Sequence, residues 1–337
     1  MRRGKVVSIG GGTGQSVLLN CLRNIDCDIT AIVAMADDGG STGLLRESSK
    51  TPAPGDIRKC LVALAKDQDS LLTKTFAHRM ESVDNHALGN LILFSLFEET
   101  GSFVDAIDAC EDLLDCLGEV MPSTLDDVKL FGETQDGRII AGQSATSHGP
   151  CTMKRVWQEP EFPQVYQPAV DAILEADLVI LGPGSLFTSI IPNVLVKEIQ
   201  DALTQTKAKV IFICPKADSQ GETWAMSVDE YVEALMDSGV KDNLDLALLH
   251  KAKVKEHMSA ASFNAAADNA HAYDVLPRDE YPKFKPVKCT DEQVANIEDM
   301  GVSTLVRDFD VEGYPYQHNK EVLTAILKNL LDNQLNS

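Results

Sequence analysis

A glycine-rich turn near the start of the chain constrains the fold more than any other feature of the sequence. The apolar run Val6–Ile9 stops at Gly10–Gly14, in which four of five residues are glycine, and residues 15–22 follow with helical spacing. This order predicts a strand over Lys5–Ile9, a tight turn, and a helix over Gln15–Arg23. The turn is a candidate site for a phosphate or diphosphate, because glycine backbone can approach a ligand closely and the first turn of a helix offers unpaired N–H groups.

The turn departs from the dinucleotide-binding fingerprint, which needs glycines at positions i, i+2 and i+5. Counted from Gly10 the third place holds Gln15, and counted from Gly12 it holds Val17. The alternative is a plain turn with no ligand, but four glycines cost conformational entropy that such a turn would not require. We therefore favour ligand binding. The residues expected at the ligand are Gly10, Gly11, Gly12, Thr13 and Gly14.

Further apolar runs predict an α/β fold with a doubly wound, mostly parallel sheet. Ile29–Met35 is the second predicted strand, and it completes a β-α-β unit of about 30 residues, the length of a parallel crossover. Leu178–Leu181, Lys209–Cys214 and Leu246–His250 are the next predicted strands, and continuous hydrophobicity is typical of strands covered on both faces. Helices are predicted from Asp56 onwards, from about Asn85 to Glu99, and over Val104–Leu117, Ala169–Glu175, Val228–Asp237 and Asn319–Leu331.

The residue pattern changes near Val120 and becomes rich in short predicted strands. Val128–Phe131 and Arg138–Ile140 flank the turn sequence Gln135–Gly137, which is a hairpin signal. We interpret residues 1–337 as a single α/β domain and residues 120–163 as a β-rich insertion that adds antiparallel strands. Residues 251–310 have no clear pattern, and helical or loop elaboration is the expectation there.

Composition and charge exclude several classes of partner. The formal net charge is −21, so nucleic acid and anionic membranes are unfavourable partners and an anionic ligand must be held by local donors. No apolar run approaches the length of about 20 residues that a membrane span needs. The eight cysteines form no CxxC pair, which predicts reduced, buried thiols and a cytoplasmic location. The sequence leaves a homodimer or a larger homo-oligomer open.

Two adjacent carboxylates follow the second predicted strand. Asp37 or Asp38 could hydrogen-bond a ribose hydroxyl, act in catalysis, or hold Mg²⁺ beside phosphates. The alternative is that both are ordinary turn residues before glycine. We favour a functional role, because the loop that follows is pliable and rich in hydroxyl groups. Its Ser41 and Thr42 are added to the candidate ligand contacts.

Two further polar motifs precede predicted helices. Asp56 is expected to be a helix N-cap, and Arg58 in the first turn opposes the helix dipole, so that a phosphate contact would explain it as well as a salt bridge would. His86 and Asn90 lie four residues apart and are expected to face the same ligand from one helix. A structural role for His86 is about as well supported as a catalytic one.

A second glycine turn follows the strand Leu178–Leu181. Its members Gly182, Pro183, Gly184 and Ser185 offer backbone N–H groups and a hydroxyl, and Asn193 is a polar residue in an apolar setting. Lys216 and Glu222 are weaker candidates. All of these turns lie at the carboxyl ends of predicted parallel strands, the edge where ligands bind in open α/β sheets. No nucleophile–base motif such as GxSxG or HExxH is present, so the sequence indicates a binding site more clearly than a reaction.

Five motifs in this order resemble the YvcK-like gluconeogenesis factors, which belong to the superfamily of 2-phospho-L-lactate transferase (CofD). They are Gly10–Gly14, Ala36–Gly43, Pro54–Arg58, His86–Asn90 and Gly182–Asn193. The resemblance implies a Rossmann-like cytoplasmic protein that binds UDP-sugars such as UDP-N-acetylglucosamine, accommodates NAD-type nucleotides, and is linked to gluconeogenic growth, cell shape and the cell wall. It also implies that the two glycine turns hold phosphates and that Asp37, Asp38 and Asn90 lie at the ligand or active centre.

The resemblance ends in the last third of the chain. The family usually carries Asn-Leu-Met-Thr-Gln-Pro-Gly-Glu-Thr after the strand that corresponds to Lys209–Cys214, whereas here only the final Gly-Glu-Thr of Cys214–Thr223 is kept. The base and sugar of the ligand are therefore open. Three functions are weighed: a nucleotide-sugar-binding regulator, a phospholactyl transferase with a guanosine diphosphate donor and a deazaflavin acceptor, and, least favoured, an NAD-dependent dehydrogenase.

Overall fold

The computed structural model of the chain describes residues 2–39, 43, 52–147, 152–219, 222–224, 226–240, 243–251, 284–311 and 316–336. Among the described residues, seven strands form the main sheet: β1 (Gly4–Gly10), β2 (Cys27–Val33), β5 (Glu119–Pro122), β9 (Leu178–Leu181), β10 (Lys209–Ile213), β12 (Leu246–His250) and β14 (Ser303–Arg307). Their order is β14-β12-β10-β9-β1-β2-β5, and every neighbouring pair is parallel. This is the strand order of the doubly wound dinucleotide-binding sheet with one strand added, which confirms the predicted fold class.

Helices connect the strands and cover the sheet. They are α1 (Gly12–Leu22), α2 (Pro54–Leu64), α3 (Leu71–Ala77), α4 (Leu88–Thr100), α5 (Phe103–Leu114), α6 (Gln143–Ser147), α7 (Gln167–Glu175), α8 (Ile191–Val194), α9 (Lys197–Gln205), α10 (Val228–Leu235), α11 (Asp291–Asp299) and α12 (Lys320–Asn336). A π-helical turn, Leu186–Ile190, leads into α8. Among the described residues, no helix is both long and apolar enough to cross a bilayer.

The core lies between the sheet and its helices. All four residues of β9 are buried, as are the last four of β10, and this explains their unbroken apolar sequence. Buried leucines of α1, α2 and α12 pack into the same cluster. Because all neighbouring strands are parallel, their carboxyl ends meet along one edge of the sheet.

Short antiparallel sheets supplement the main one. Strands β6 (Lys129–Thr134), β7 (Ile139–Ala141) and β8 (Met153–Glu159) form a three-stranded sheet in the order β7-β6-β8. The predicted hairpin is therefore confirmed. Two-stranded sheets join β3 (Arg79–Met80) to β4 (His86–Ala87) and β11 (Ala217–Ser219) to β13 (Phe284–Pro286).

Two helix boundaries correct the sequence analysis. The helix predicted from Asp56 begins at Pro54, because proline suits the first helical position, and Asp56 is therefore not the N-cap. The helix predicted from about Asn85 begins at Leu88, since His86 and Ala87 pair with Arg79 and Met80 as a strand. His86 and Asn90 consequently do not share a helix.

Candidate functional site

The two glycine turns meet at the point where the strand order reverses. β1 lies between β2 and β9, so that the turns after β1 and β9 leave the sheet side by side. Between them is a cleft of about 240 Å³, which we call the loop cleft. It is lined by Gly11, Gly12, Thr13, Gly14, Val17, Pro183, Gly184, Ser185, Pro215, Lys216, Ala217, Tyr316, Gln317 and His318. Ligands of open α/β sheets bind at such a switch point.

Gly14 allows the two turns to approach. A methyl group added to Gly14 would lie 2.3 Å from the carbonyl oxygen of Pro183 and 2.9 Å from the Cα of Gly184. Both neighbours are backbone atoms that cannot rotate away, so that any side chain here would force the loops apart. This contact explains the last glycine of the turn.

A carboxylate fills part of the first turn. The Oδ2 atom of Asp56 accepts a hydrogen bond of 2.7 Å from the backbone N–H of Gly12, and its Oδ1 atom accepts one of 2.8 Å from Nζ of Lys59. The next amides, those of Thr13 and Gly14, have no partner within α1 because they lie in its first turn. Asp56 thus orders the turn from behind and leaves these donors for a ligand.

A second carboxylate orders the other turn. Glu222 is buried, and its Oε1 atom accepts hydrogen bonds from the amides of Phe187 (2.7 Å) and Thr188 (3.2 Å), while Oε2 accepts one from the hydroxyl of Thr188 (3.2 Å). Burial raises the pKa of Glu222 to about 7, although these donors and the hydroxyl of Ser185 act in the opposite direction. Glu222 therefore fixes the segment that follows Ser185.

Gln15 takes the place of the third glycine of a dinucleotide site. Its side chain is fully buried, and Nε2 donates to the carbonyl oxygens of Ser8 (3.1 Å) and Ile32 (3.0 Å). The amide therefore ties α1 to both β1 and β2. From the sequence, Gln15 was only a mismatch to the dinucleotide fingerprint. In the structure it connects α1 to the two strands beside the site.

Asn193 supports the first turn from below. Its Nδ2 atom donates to the carbonyl oxygens of Gly10 (2.9 Å) and Ser189 (2.8 Å), and the side chain is fully buried. We interpret Asn193 as a positioning residue, whereas the predicted direct contact with a ligand stays a prediction.

The aspartate pair after β2 is divided between two roles. Both oxygens of Asp38 accept backbone N–H groups at the start of α6, from Gln143 (3.0 Å) and Ser144 (2.8 Å). Asp37 accepts a hydrogen bond of 3.0 Å from the amide of Gly39. The predicted contacts Ser41 and Thr42 lie outside the described residues.

Each oxygen of Asp38 thus accepts one backbone hydrogen bond, which leaves lone pairs for a cation, and a magnesium ion held by Asp37 and Asp38 stays a prediction. Among the described residues, the group close enough to share a metal is His250, Asp308 and Asp310. Lys216 Nζ lies 3.0 Å from Oδ1 of Asp310 and supplies a positive charge there. We therefore derive no step through a metal.

Arg58 and Asn90 form a buried pair on neighbouring helices. The Nε atom of Arg58 donates a hydrogen bond of 2.9 Å to Oδ1 of Asn90, and neither residue lines the loop cleft. His86, four residues before Asn90, is buried on β4. No partner for its Nδ1 atom is found among the described residues. The structure thus brings Arg58 and Asn90 together, but away from the cleft between the glycine turns.

The far wall of the loop cleft comes from the segment after β14. Lys216 is buried, and its Nζ atom donates to the carbonyl oxygens of Phe309 (2.9 Å) and Gln317 (3.1 Å). This attaches Tyr316, Gln317 and His318 to the edge of the sheet. Burial lowers the pKa of His318 to about 3, so that this wall is uncharged at neutral pH. Sequence reasoning missed these residues, because they follow a segment without a recognisable pattern.

Comparison with known proteins places the chain in a family. The family model described as 2-phospho-L-lactate transferase CofD matches residues 6–289. The chain belongs to the CofD family. The assignment agrees with the motif resemblance, and the matched range contains both glycine turns.

Members of the CofD family with similar sequences include two named gluconeogenesis factor. The one from Halalkalibacterium halodurans is 38% identical over 263 residues, which are 77% of this chain and 81% of that protein. The one from Bacillus subtilis is 42% identical over 234 residues, which are 68% of this chain and 74% of that protein. A further relative from Nostoc sp. is 42% identical over 251 residues, which span 73% of this chain but only 55% of that longer protein.

The fold is also that of a solved relative. The crystal structure of a UPF0052 family member from Bacillus halodurans superposes with a TM-score of 0.85 at 34% sequence identity, covering 97% of this chain and 99% of that one. The architecture described above therefore recurs across nearly the whole length of both chains.

Proposed function

We propose that this chain binds the diphosphate of a nucleotide ligand, such as a UDP-sugar, in the loop cleft and acts as a regulatory protein. The observation that carries the proposal is the contact between the two glycine turns at the switch point, where Gly14 and Pro183 approach too closely for any side chain. A turn that only connected a strand to a helix would not require the backbones of two turns to approach each other this closely beside a cleft.

Backbone donors would supply the attraction. The amides of Thr13 and Gly14 lie in the first turn of α1, and the positive end of a helix dipole favours an anion. The charge of −21 makes such local donors necessary, because the overall field repels an anionic ligand. Lys216 is engaged with carbonyl oxygens and Asp310, so that it is not the principal phosphate ligand in this proposal.

The wall formed by Tyr316, Gln317 and His318 would face the sugar or the base. UDP-N-acetylglucosamine is the first ligand to test, and NAD is the alternative nucleotide. Links to gluconeogenic growth and cell shape, and a homo-oligomeric state, belong to the same proposal; two relatives bear the name gluconeogenesis factor. A cytoplasmic location is supported by the seven described cysteines, all of which are free.

Calorimetry tests the binding proposal. Titration with UDP-N-acetylglucosamine, UDP-glucose, NAD and GDP should give saturable heat with at least one of them, and Gly14→Ala should abolish or strongly weaken it. Mass spectrometry of small molecules released from the purified protein provides an unbiased second measurement. Absence of binding by all four nucleotides, together with no released nucleotide, would reject the proposal.

A second candidate function is supported by the family model, whose description is a transferase. A phospholactyl transfer from a guanosine diphosphate donor to a deazaflavin would use the same cleft for the donor, with Asp37 as the candidate residue at the acceptor. Asp38 is less suited to this chemistry because its two oxygens hold the start of α6. Incubation with donor and acceptor should then form product, and Asp37→Asn should remove that activity.

A further inference from the structure

A second cavity, of about 420 Å³, lies between α1, α2 and α3. We call it the basic groove. Three of its lining residues are cations, Arg58, Lys59 and Lys74, and none of its lining residues is Asp or Glu. Such a concentration of positive charge is unexpected in a chain with 51 acidic and 30 basic residues. Thr13 lines both this groove and the loop cleft, so that the two cavities are neighbours.

Arg58 is the central observation. It is only 6% exposed, and its one hydrogen bond in the described residues is the 2.9 Å contact from Nε to Asn90. Burial lowers the pKa of Arg58 to about 10, so that the guanidinium remains charged at neutral pH. No carboxylate among the described residues forms an ion pair with it. A buried charge without a counter-ion is costly, and an anion from outside would remove that cost.

Neighbouring cations add to the positive charge around Arg58. Arg79 lies close enough to lower the pKa of Arg58 further, an effect greater than that of either Asp56 or Asp37, which each raise this pKa. Lys59 is held by Asp56 at 2.8 Å, and Lys74 makes an exposed ion pair of 3.0 Å with Asp69. Lys74 can leave that partner at little cost, because exposed ion pairs contribute little to stability.

We propose that the basic groove binds a second ligand, a small molecule carrying a phosphate group, beside the nucleotide. Three cations around one small cavity match a dianion better than a singly charged carboxylate, and arginine offers the planar donor pattern that phosphate accepts. Because Thr13 lines both cavities, binding of one ligand would change the affinity for the other. This site shares Thr13 with the proposed nucleotide site, but its cations Arg58, Lys59 and Lys74 do not line the loop cleft.

Inorganic phosphate is the probe, titrated calorimetrically into the full chain at constant ionic strength. Wild type should bind it, Lys74→Ala should weaken binding about ten-fold through loss of one charge-assisted contact, and Lys197→Ala should leave it unchanged. Lys197 is a matched control because it also makes an exposed ion pair, with Asp201, on the distant helix α9. Lys74 is largely exposed, so that its substitution should not impair folding.

The Gly14→Ala variant separates this proposal from the previous one. Phosphate binding that survives in Gly14→Ala but weakens in Lys74→Ala supports the basic groove, whether or not any nucleotide binds. Wild type saturated with nucleotide serves the same purpose if Gly14→Ala misfolds. Phosphate binding that is lost in Gly14→Ala and unchanged in Lys74→Ala would assign the anion to the loop cleft and overturn the proposal. No detectable phosphate binding to wild type would overturn it too.

Discussion

Replacement of Gly14 by alanine should separate a role in the fold from a role in ligand binding. The added methyl group would lie 2.3 Å from the Pro183 carbonyl oxygen, where ordinary contacts begin at 3.4 Å. The two turns must therefore move apart by about 1 Å, the difference between these distances. Overpacking of this kind costs about 1–3 kcal/mol, while alanine improves helix propensity by about 1 kcal/mol.

The free energy of unfolding of Gly14→Ala should consequently fall by only about 0–2 kcal/mol. The effect on nucleotide affinity should be larger. Displacement of the Thr13 and Gly14 amides weakens hydrogen bonds to a charged group that are worth about 1.5–3 kcal/mol each. We expect the dissociation constant for the bound nucleotide to rise at least about ten-fold.

Urea unfolding and calorimetry measure the two effects on the same preparations. Gly184→Ala is the control for packing, because its methyl group would lie 3.5 Å from the Gly11 carbonyl oxygen and 3.8 Å from Cβ of Ser189, both ordinary contacts. It should unfold like wild type. If Gly14→Ala kept both wild-type stability and wild-type nucleotide affinity, the argument from the close approach of the turns would be refuted.

Three further predictions concern the residues that order the cleft. The raised pKa of Glu222, about 7 against an ordinary 4.5, means that its contribution to stability is complete below pH 4.5 and is lost as the pH rises through 7. The shifted pKa values of Glu111 and His318 also act over this range, so the quantity to measure is the difference in unfolding free energy between wild type and Glu222→Gln. This difference should fall by about 3 kcal/mol across the range; a constant difference would contradict the assignment. Asp56→Ala leaves the Gly12 amide without its acceptor and should lower the free energy of unfolding by about 1–3 kcal/mol, whereas Asp56→Asn should restore part of it. Lys216→Met should speed amide hydrogen exchange at Gln317 and His318, because the carbonyl contacts that attach this wall are lost; exchange at the wild-type rate would show that Lys216 does not hold it.

The sequence predicted five of the seven strands of the main sheet, because their signals are local, whereas β5 and β14 were not predicted. Unbroken apolar runs such as Leu178–Leu181 are found as buried strands, and the glycine turns lie at their carboxyl ends as expected. The juxtaposition of Gly14 and Pro183 follows from this topology, since β1 and β9 are neighbours. The part of the site that depends on strand order was therefore predictable.

The part of the site that depends on side-chain contacts could not be predicted from the sequence. The contact of Asp38 with the start of α6, more than one hundred residues away in sequence, was not predicted, and the expected contact of Asp38 with a ligand stays a prediction. Arg58 was expected to contact a phosphate, which stays a prediction; the structure pairs it with Asn90 and places it in the lining of the basic groove, outside the loop cleft. No periodicity or spacing predicts such long-range pairs, because a polar residue of the same type can contact a ligand or form a hydrogen bond within the protein.

Gln15 also determines how this protein can respond to a ligand. Because one buried amide is bonded to both β1 and β2, α1 cannot slide along its axis without breaking two internal hydrogen bonds at once. An incoming anion therefore meets a fixed set of donors on α1, and we expect any adjustment of the cleft in the segment Tyr316–His318 on its other side. Comparison of ligand-free and ligand-bound crystals should find the first helix stationary and that stretch displaced.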